Sequence, residues 1–268
     1  MLQTRRAGVR GFDFRHDSPA LGRSKTARVI LPEAPAPAGG FDVVYFLHAF
    51  GGNRLSWPLA LDSLLDEPFF RTRIVVAPES GRRWFINDAM GNRYEDYLVE
   101  DLMGAVEREF PVAPRHGNAA IFGFSMGGAA AVSLALRHPG LFTAAFSYAG
   151  AFHASRRTGD PYAELRDGVC MMPTEDEHNR VWGAPGSAVR RIYDPDTLIR
   201  NVQGAAGLPQ LFLEVGTEDY PRVLQMNRAM DESLTAAGVR HTYAEHPGAH
   251  EWDCAAHAAG RAIRAMQL

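Results

Sequence analysis

The sequence predicts an α/β protein built on a mostly parallel, buried sheet with helices on both faces. Short β-branched apolar runs alternate with stretches of helical periodicity along most of the chain. The first three runs are largely apolar at both odd and even positions, as in strands covered on two faces. Proline and glycine punctuate the joins between them.

The elements follow in order. Residues 26–31 (TARVIL) read as a strand stopped by Pro32, and the Pro/Ala/Gly stretch to Gly40 reads as a loop. Residues 43–47 and 73–77 are the next two strands, the latter ending at Pro78. From Tyr94 the apolar positions Tyr94, Leu98, Leu102, Val106 and Phe110 recur every four residues, while Glu95, Glu100, Glu107 and Arg108 lie off that stripe. An amphipathic helix closed by Pro111 is expected. Residues 119–122 give a strand, 127–137 a helix ended by Pro139 and Gly140, and 142–148 another strand. Residues 210–215 and 241–245 are the last two strands, each followed by a helical stretch. The rhythm breaks between about 151 and 205, which predicts a cap-like insertion over the carboxyl edge of the sheet within a single domain spanning 1–268.

A chain of 268 residues, 46% hydrophobic and 22% charged, can bury a sizeable core without disulfides or a structural metal. Cys170 and Cys254 could pair at most once, and reduced thiols are expected. With 28 cationic and 31 anionic residues the net charge is −3, which leaves no electrostatic footprint for nucleic acid or an acidic membrane. A small-molecule partner is expected, with oligomeric state, including a homo-oligomer, left open. Residues 119–136 run 18 positions without a charge, the length of a membrane span. Gly123, Gly127 and Gly128 nevertheless divide that stretch into a buried strand and a buried helix. The N-terminal MLQTRRAGVRGFDF has no apolar run behind its basic residues, so no secretory signal is read and a cytoplasmic protein is expected.

The strongest chemical signal is Gly123-Phe124-Ser125-Met126-Gly127, a G-x-S-x-G between a strand and a helix. A serine at such a sharp turn projects its hydroxyl above the sheet, and the flanking glycines permit close strand–helix approach. The hydroxyl needs a base, and the base needs an orienting acid. Both are expected in loops that follow strands: Gly216-Thr217-Glu218-Asp219 and His246-Pro247-Gly248-Ala249-His250. The shorter Asp219 suits a tight turn better than Glu218. His250, beyond the Pro-Gly turn where a mobile loop can carry it, is preferred to His246 and to His241 at a strand start. The order serine, acid, histidine matches one known triad order. For the oxyanion, the candidate donors are the backbone N–H groups of Phe50, in the glycine-rich loop after the second strand, and Met126, next to the serine. His48 is read as a packing imidazole. Trp84 and Trp252 are candidate substrate-binding residues, with core packing as the competing reading. Arg156, Arg157, Arg190 and Arg191 are read as solvated surface residues before an acidic leaving group is invoked.

Taken together, VILP, VVYFLHAFGGN, VVAPESGRRWFINDA, YEDYLVEDLMGAVEREFPV, GFSMGGAAAVSLALRHPGLF, EVGTEDY and HPGAHEWD resemble the putative-esterase family of α/β-hydrolases, over about residues 29–253. The family includes esterase D and S-formylglutathione hydrolase, tributyrin, feruloyl and acetylxylan esterases, and mycolyltransferases. The resemblance implies an eight-stranded α/β-hydrolase sheet, a Ser125–Asp219–His250 triad, oxyanion donors at Phe50 and Met126, and no cofactor or metal. Ala49 departs from the glycine usual after the loop histidine. The cysteine and extra segments of S-formylglutathione hydrolases have no match, and the absent signal disfavours an exported mycolyltransferase. The expected function is a serine esterase for small acyl esters. A feruloyl or acetyl esterase acting on carbohydrate-linked esters, an acyltransferase or a serine peptidase would use the same residues, and a non-catalytic binding protein on this scaffold is the rival of another class.

Overall fold

The computed structural model describes residues 4–6, 8–114, 119–161 and 172–266. Among the described residues nine strands form one sheet: β1 (Thr4–Arg6), β2 (Val9–Ser18), β3 (Arg23–Pro32), β4 (Asp42–Leu47), β5 (Arg73–Ala77), β6 (Ala119–Phe124), β7 (Phe142–Tyr148), β8 (Gln210–Gly216) and β9 (His241–His246). Their spatial order is β1-β2-β3-β5-β4-β6-β7-β8-β9. From β5 to β9 every neighbouring pair is parallel, and β1, β2, β3 and β5 pair antiparallel. Eight strands give the expected sheet, and the three residues of β1 extend its edge.

Burial on both faces follows from the central sequences. In β4, Val43, Tyr45 and Leu47 join one apolar cluster, while Val44 and Phe46 join the other. All six residues of β6 are buried. Helix Met126–Arg137 covers the first face and helix Trp252–Ala265 the second, the latter through Ala255, Ala258, Ala259, Ala262 and Ile263. The small alanines let this helix lie close to the sheet.

The stripe from Tyr94 is a continuous helix whose middle turn, Tyr97–Leu102, is a π-helix between Tyr94–Asp96 and Met103–Glu109. An apolar repeat of four residues drifts around a 3.6-residue helix, and one wider turn absorbs part of that drift. Tyr94, Leu98, Leu102 and Val106 are all buried. The strand at residues 26–31 differs from expectation in direction: β3 is buried on both faces in its second half yet pairs antiparallel with β2 and β5.

The segment after β7 holds a short 3-10 helix, Phe152–Arg156, then Glu175–Trp182, Ala188–Ile192 and Pro195–Val202. Phe152, Val181, Trp182, Tyr193, Leu198 and Ile199 belong to the same core as helix Met126–Arg137. Residues 162–171 of the expected insertion, including Cys170, lie outside the described residues. Cys254 is a free thiol. No helix among the described residues is long and apolar enough to cross a membrane.

Candidate active site

Strand order reverses direction at β4: β5 lies on one side of it and β6 on the other. Loops at the carboxyl ends of such a pair diverge and leave a crevice. The loop after β4 carries Phe50, and the turn after β6 carries Ser125.

Ser125 sits at φ 56° and ψ −113°, a conformation that side-chain-bearing residues avoid. Three backbone hydrogen bonds hold it there. Its N–H donates to Tyr148 O at 2.9 Å, and its carbonyl accepts from Ala129 N at 3.0 Å and Ala151 N at 3.1 Å. The glycines are steric requirements. A β-carbon on Gly123 would collide with the carbonyl of Gly127, and one on Gly127 with the carbonyl of Leu47.

The Ser125 hydroxyl lies 3.0 Å from His250 Nε2. On the other side of the ring, Nδ1 lies 3.0 and 2.9 Å from the Asp219 carboxylate oxygens. A carboxylate accepts, so Nδ1 carries the proton and Nε2 faces the serine with its lone pair. The Asp219 side chain is fully buried, and its Oδ1 also accepts the Tyr220 N–H at 2.6 Å. Glu218 is exposed, and its backbone N–H serves the histidine loop through Gly248 O at 2.9 Å.

That histidine loop is tied down at several points. Thr217 N–H donates to His246 O at 2.8 Å, and the Tyr148 hydroxyl donates to Ala249 O at 2.9 Å. The His250 ring rests 4.7 Å from Phe124 and 5.6 Å from Tyr220, centroid to centroid. The competing histidines lie elsewhere. His241 bonds Asp231 at 2.8 Å and Val239 O at 2.8 Å, and His246 lies 3.9 Å from Glu214.

Met126 opens the helix, so its N–H has no acceptor within it. The Phe50 loop is fixed by Gly51 N–H to Gly81 O (3.0 Å) and Gly52 N–H to Ala49 O (2.9 Å). His48 packs beneath it as expected: its Nε2 accepts from Ser80 N at 3.0 Å, and Nδ1 donates to Ala49 O at 2.7 Å. Burial lowers its pKa to about 4, so the ring is neutral.

Trp84, at φ 50°, stands 6.0 Å from Phe50 and 5.3 Å from Trp182. It lines an apolar pocket with Ala129, Ser133, Phe152 and Trp182. Trp252 instead packs edge-on against Trp57 (5.3 Å) and Phe124 (5.0 Å), behind the imidazole.

The arginines require a correction. Arg157 and Arg190 are buried, and Arg190 donates to the carbonyls of Gly183, Ser155 and Arg157 and to Asn179 Oδ1. Arg156 pairs with Asp194 and Asp196. These side chains brace the insertion because its short helices leave carbonyls that need donors. Sequence reasoning also passed over Tyr148, which anchors the histidine loop, and Tyr220, whose only signal was its position after Asp219. Among the described residues no His, Cys, Asp or Glu cluster could hold a metal.

A profile of the family described as "Putative esterase" matches residues 18–256. An acetyl esterase of Caldicellulosiruptor saccharolyticus is 22% identical over 247 residues, 88% of this chain and 90% of that protein. An esterase of Mycobacterium tuberculosis is 26% identical over 255 residues, and the match spans only 55% of its length. The structure of the S-formylglutathione hydrolase FrmB from Staphylococcus aureus superimposes with a TM-score of 0.79 at 22% identity, over 97% of this chain and 99% of that one. The chain belongs to the Putative esterase family and is an esterase of the α/β-hydrolase fold.

Proposed function

We propose that the protein hydrolyses small-molecule carboxylic esters of small acyl groups through an acyl-serine intermediate, with Ser125 as nucleophile, His250 as general base and acid, and Asp219 as its orienting acid. The unbroken hydrogen-bonded row from the Ser125 hydroxyl through His250 to Asp219 carries this reading. As Ser125 Oγ bonds to the ester carbonyl carbon, its proton passes to His250 Nε2, and the carbonyl π pair moves onto oxygen. The oxyanion accepts hydrogen bonds from the N–H groups of Phe50 and Met126. Asp219 stabilises the imidazolium. Collapse breaks the bond to the alcohol oxygen, which takes the proton from Nε2. Water then repeats the sequence on the acyl-serine, and the acid departs.

Trp84 walls the acyl side beside Phe50, and Trp252 positions the imidazole from behind through Phe124. The likeness to an acetyl esterase supports small acyl groups. A fluorophosphonate probe should label the wild-type protein at Ser125 and leave Ser125→Ala unlabelled. That variant should lose about a millionfold in kcat on p-nitrophenyl acetate with its circular dichroism and Tm nearly unchanged. Retention of most of the activity would remove Ser125 as nucleophile. A panel of p-nitrophenyl esters of increasing acyl length, with methyl ferulate and acetylated xylose, separates short-acyl from phenolic and carbohydrate ester preference.

A further inference from the structure

Among the described residues Tyr220 is one of four large hydrophobic side chains left exposed, at 52% of its surface, and its ring stands 5.6 Å from that of His250. An exposed aromatic ring beside the imidazole offers a ligand a face on which to stack. Its placement is fixed from both ends. Its N–H donates to Asp219 Oδ1 at 2.6 Å, and Pro221 follows it as the first residue of the 16-residue helix Pro221–Ala236. The backbone that carries the ring is therefore held beside the residue that orients His250.

The chemistry assigns this surface to one half of the substrate. The leaving oxygen must receive its proton from His250 Nε2, so the alcohol lies against whatever flanks that imidazole. Two aromatic rings do so. Phe124 is 2% exposed and closed off beneath the ring. Tyr220 alone of the two is open to a ligand. Phe50 and Trp84 neighbour each other, in the loops of the proposed oxyanion and acyl side.

We propose that Tyr220 is a specificity-determining residue for the alcohol, its exposed ring forming a platform that favours alcohols bearing an aromatic ring. The proposal rests on the Ser125–His250 reading above and deepens it. Ring stacking of this kind favours the aromatic alcohol by about two- to tenfold.

The test compares benzyl acetate with n-butyl acetate, which share an acyl group and have alcohols of similar reactivity. The wild-type enzyme should prefer the benzyl ester in kcat/KM. Tyr220→Ala should lower the benzyl-to-butyl ratio about fivefold, chiefly through KM, and Tyr220→Phe should keep it. A ratio unchanged in Tyr220→Ala would overturn the proposal, because equal losses on both esters mean that the residue only positions Asp219 or His250. Fluorophosphonate labelling of each variant, with thermal melting as the folding control, separates the two levels. If Ser125 fails to label in the wild type, the nucleophile assignment fails. If Ser125 labels and the ratio does not move, only the Tyr220 assignment fails.

Discussion

Asp219 accepts hydrogen bonds from His250 Nδ1 and from the Tyr220 N–H, and that geometry selects one imidazole tautomer. Asp219→Asn tests the selection without changing the size of the side chain. An amide turned to donate toward Nδ1 forces the ring to carry its proton on Nε2, where it can no longer accept from Ser125. The expected result is a loss of about ten-thousandfold in kcat with KM little changed, measured by steady-state hydrolysis of p-nitrophenyl acetate. A loss smaller than tenfold would mean that Glu218 or water supplies the orientation. At this scale the sequence is legible wherever chemistry dictates residue type and position together. Ser125, Asp219 and His250 each follow a strand end, and the structure brings the three side chains within hydrogen-bond distance. Packing partners are not legible in that way. Trp252 is near the site in sequence, but its ring turns toward Trp57. Arg157 and Arg190 look like surface charge because nothing local reveals the carbonyls that capture them.

Between β6 and helix Met126–Arg137 the backbone of Gly123 approaches Gly127 so closely that no β-carbon fits. The contact is with backbone carbonyl and cannot be relieved by a rotamer change. Gly123→Ala should therefore cost about 1–3 kcal/mol or more of stability and displace the Ser125 turn, since overpacking moves main chain. Both effects are measurable, as a lowered midpoint in urea and as a loss of fluorophosphonate labelling in the protein that remains folded. A variant with normal stability and labelling would show that the turn has slack. The parallel strands β4 to β8 were legible because both of their faces are largely apolar. β2 was not, because its alternation of buried and exposed residues is carried by Val9, Gly11, His16 and Ser18 among charges, which reads as a polar terminus. The direction of β3 was equally hidden, since a strand buried on both faces looks the same whether its neighbours run parallel or antiparallel.

The whole molecule is held together across the insertion by buried polar groups as well as by apolar packing. Glu95 is 1% exposed and accepts from Arg137 Nε at 2.8 Å, from His138 and from the Tyr193 hydroxyl, joining the helix from Tyr94, the end of helix Met126–Arg137 and the insertion. Burial raises its pKa, but the hydrogen bonds from His138, Tyr193 and Arg137 outweigh that and leave the carboxyl below its ordinary value. Two histidines shift in the same direction, here through burial itself. Burial lowers the pKa of His48 to about 4 and that of His178, in helix Glu175–Trp182 of the insertion, to about 3, against an ordinary 6.5. Both rings are neutral in the folded protein, whereas the unfolded chain takes up their protons as pH falls below about 6.5. The unfolded state then binds more protons, so the stability they confer is complete above pH 6.5 and declines as pH falls toward 4. Each group contributes a slope approaching 1.4 kcal/mol per pH unit in the middle of that window. With total stabilities of about 5–15 kcal/mol, two such groups contribute visibly to acid unfolding. Urea midpoints measured between pH 7 and pH 5.5 should already fall, above the range where ordinary carboxylates titrate. A midpoint that stays level down to pH 5 would mean that one or both imidazoles already carry their protons in the folded state.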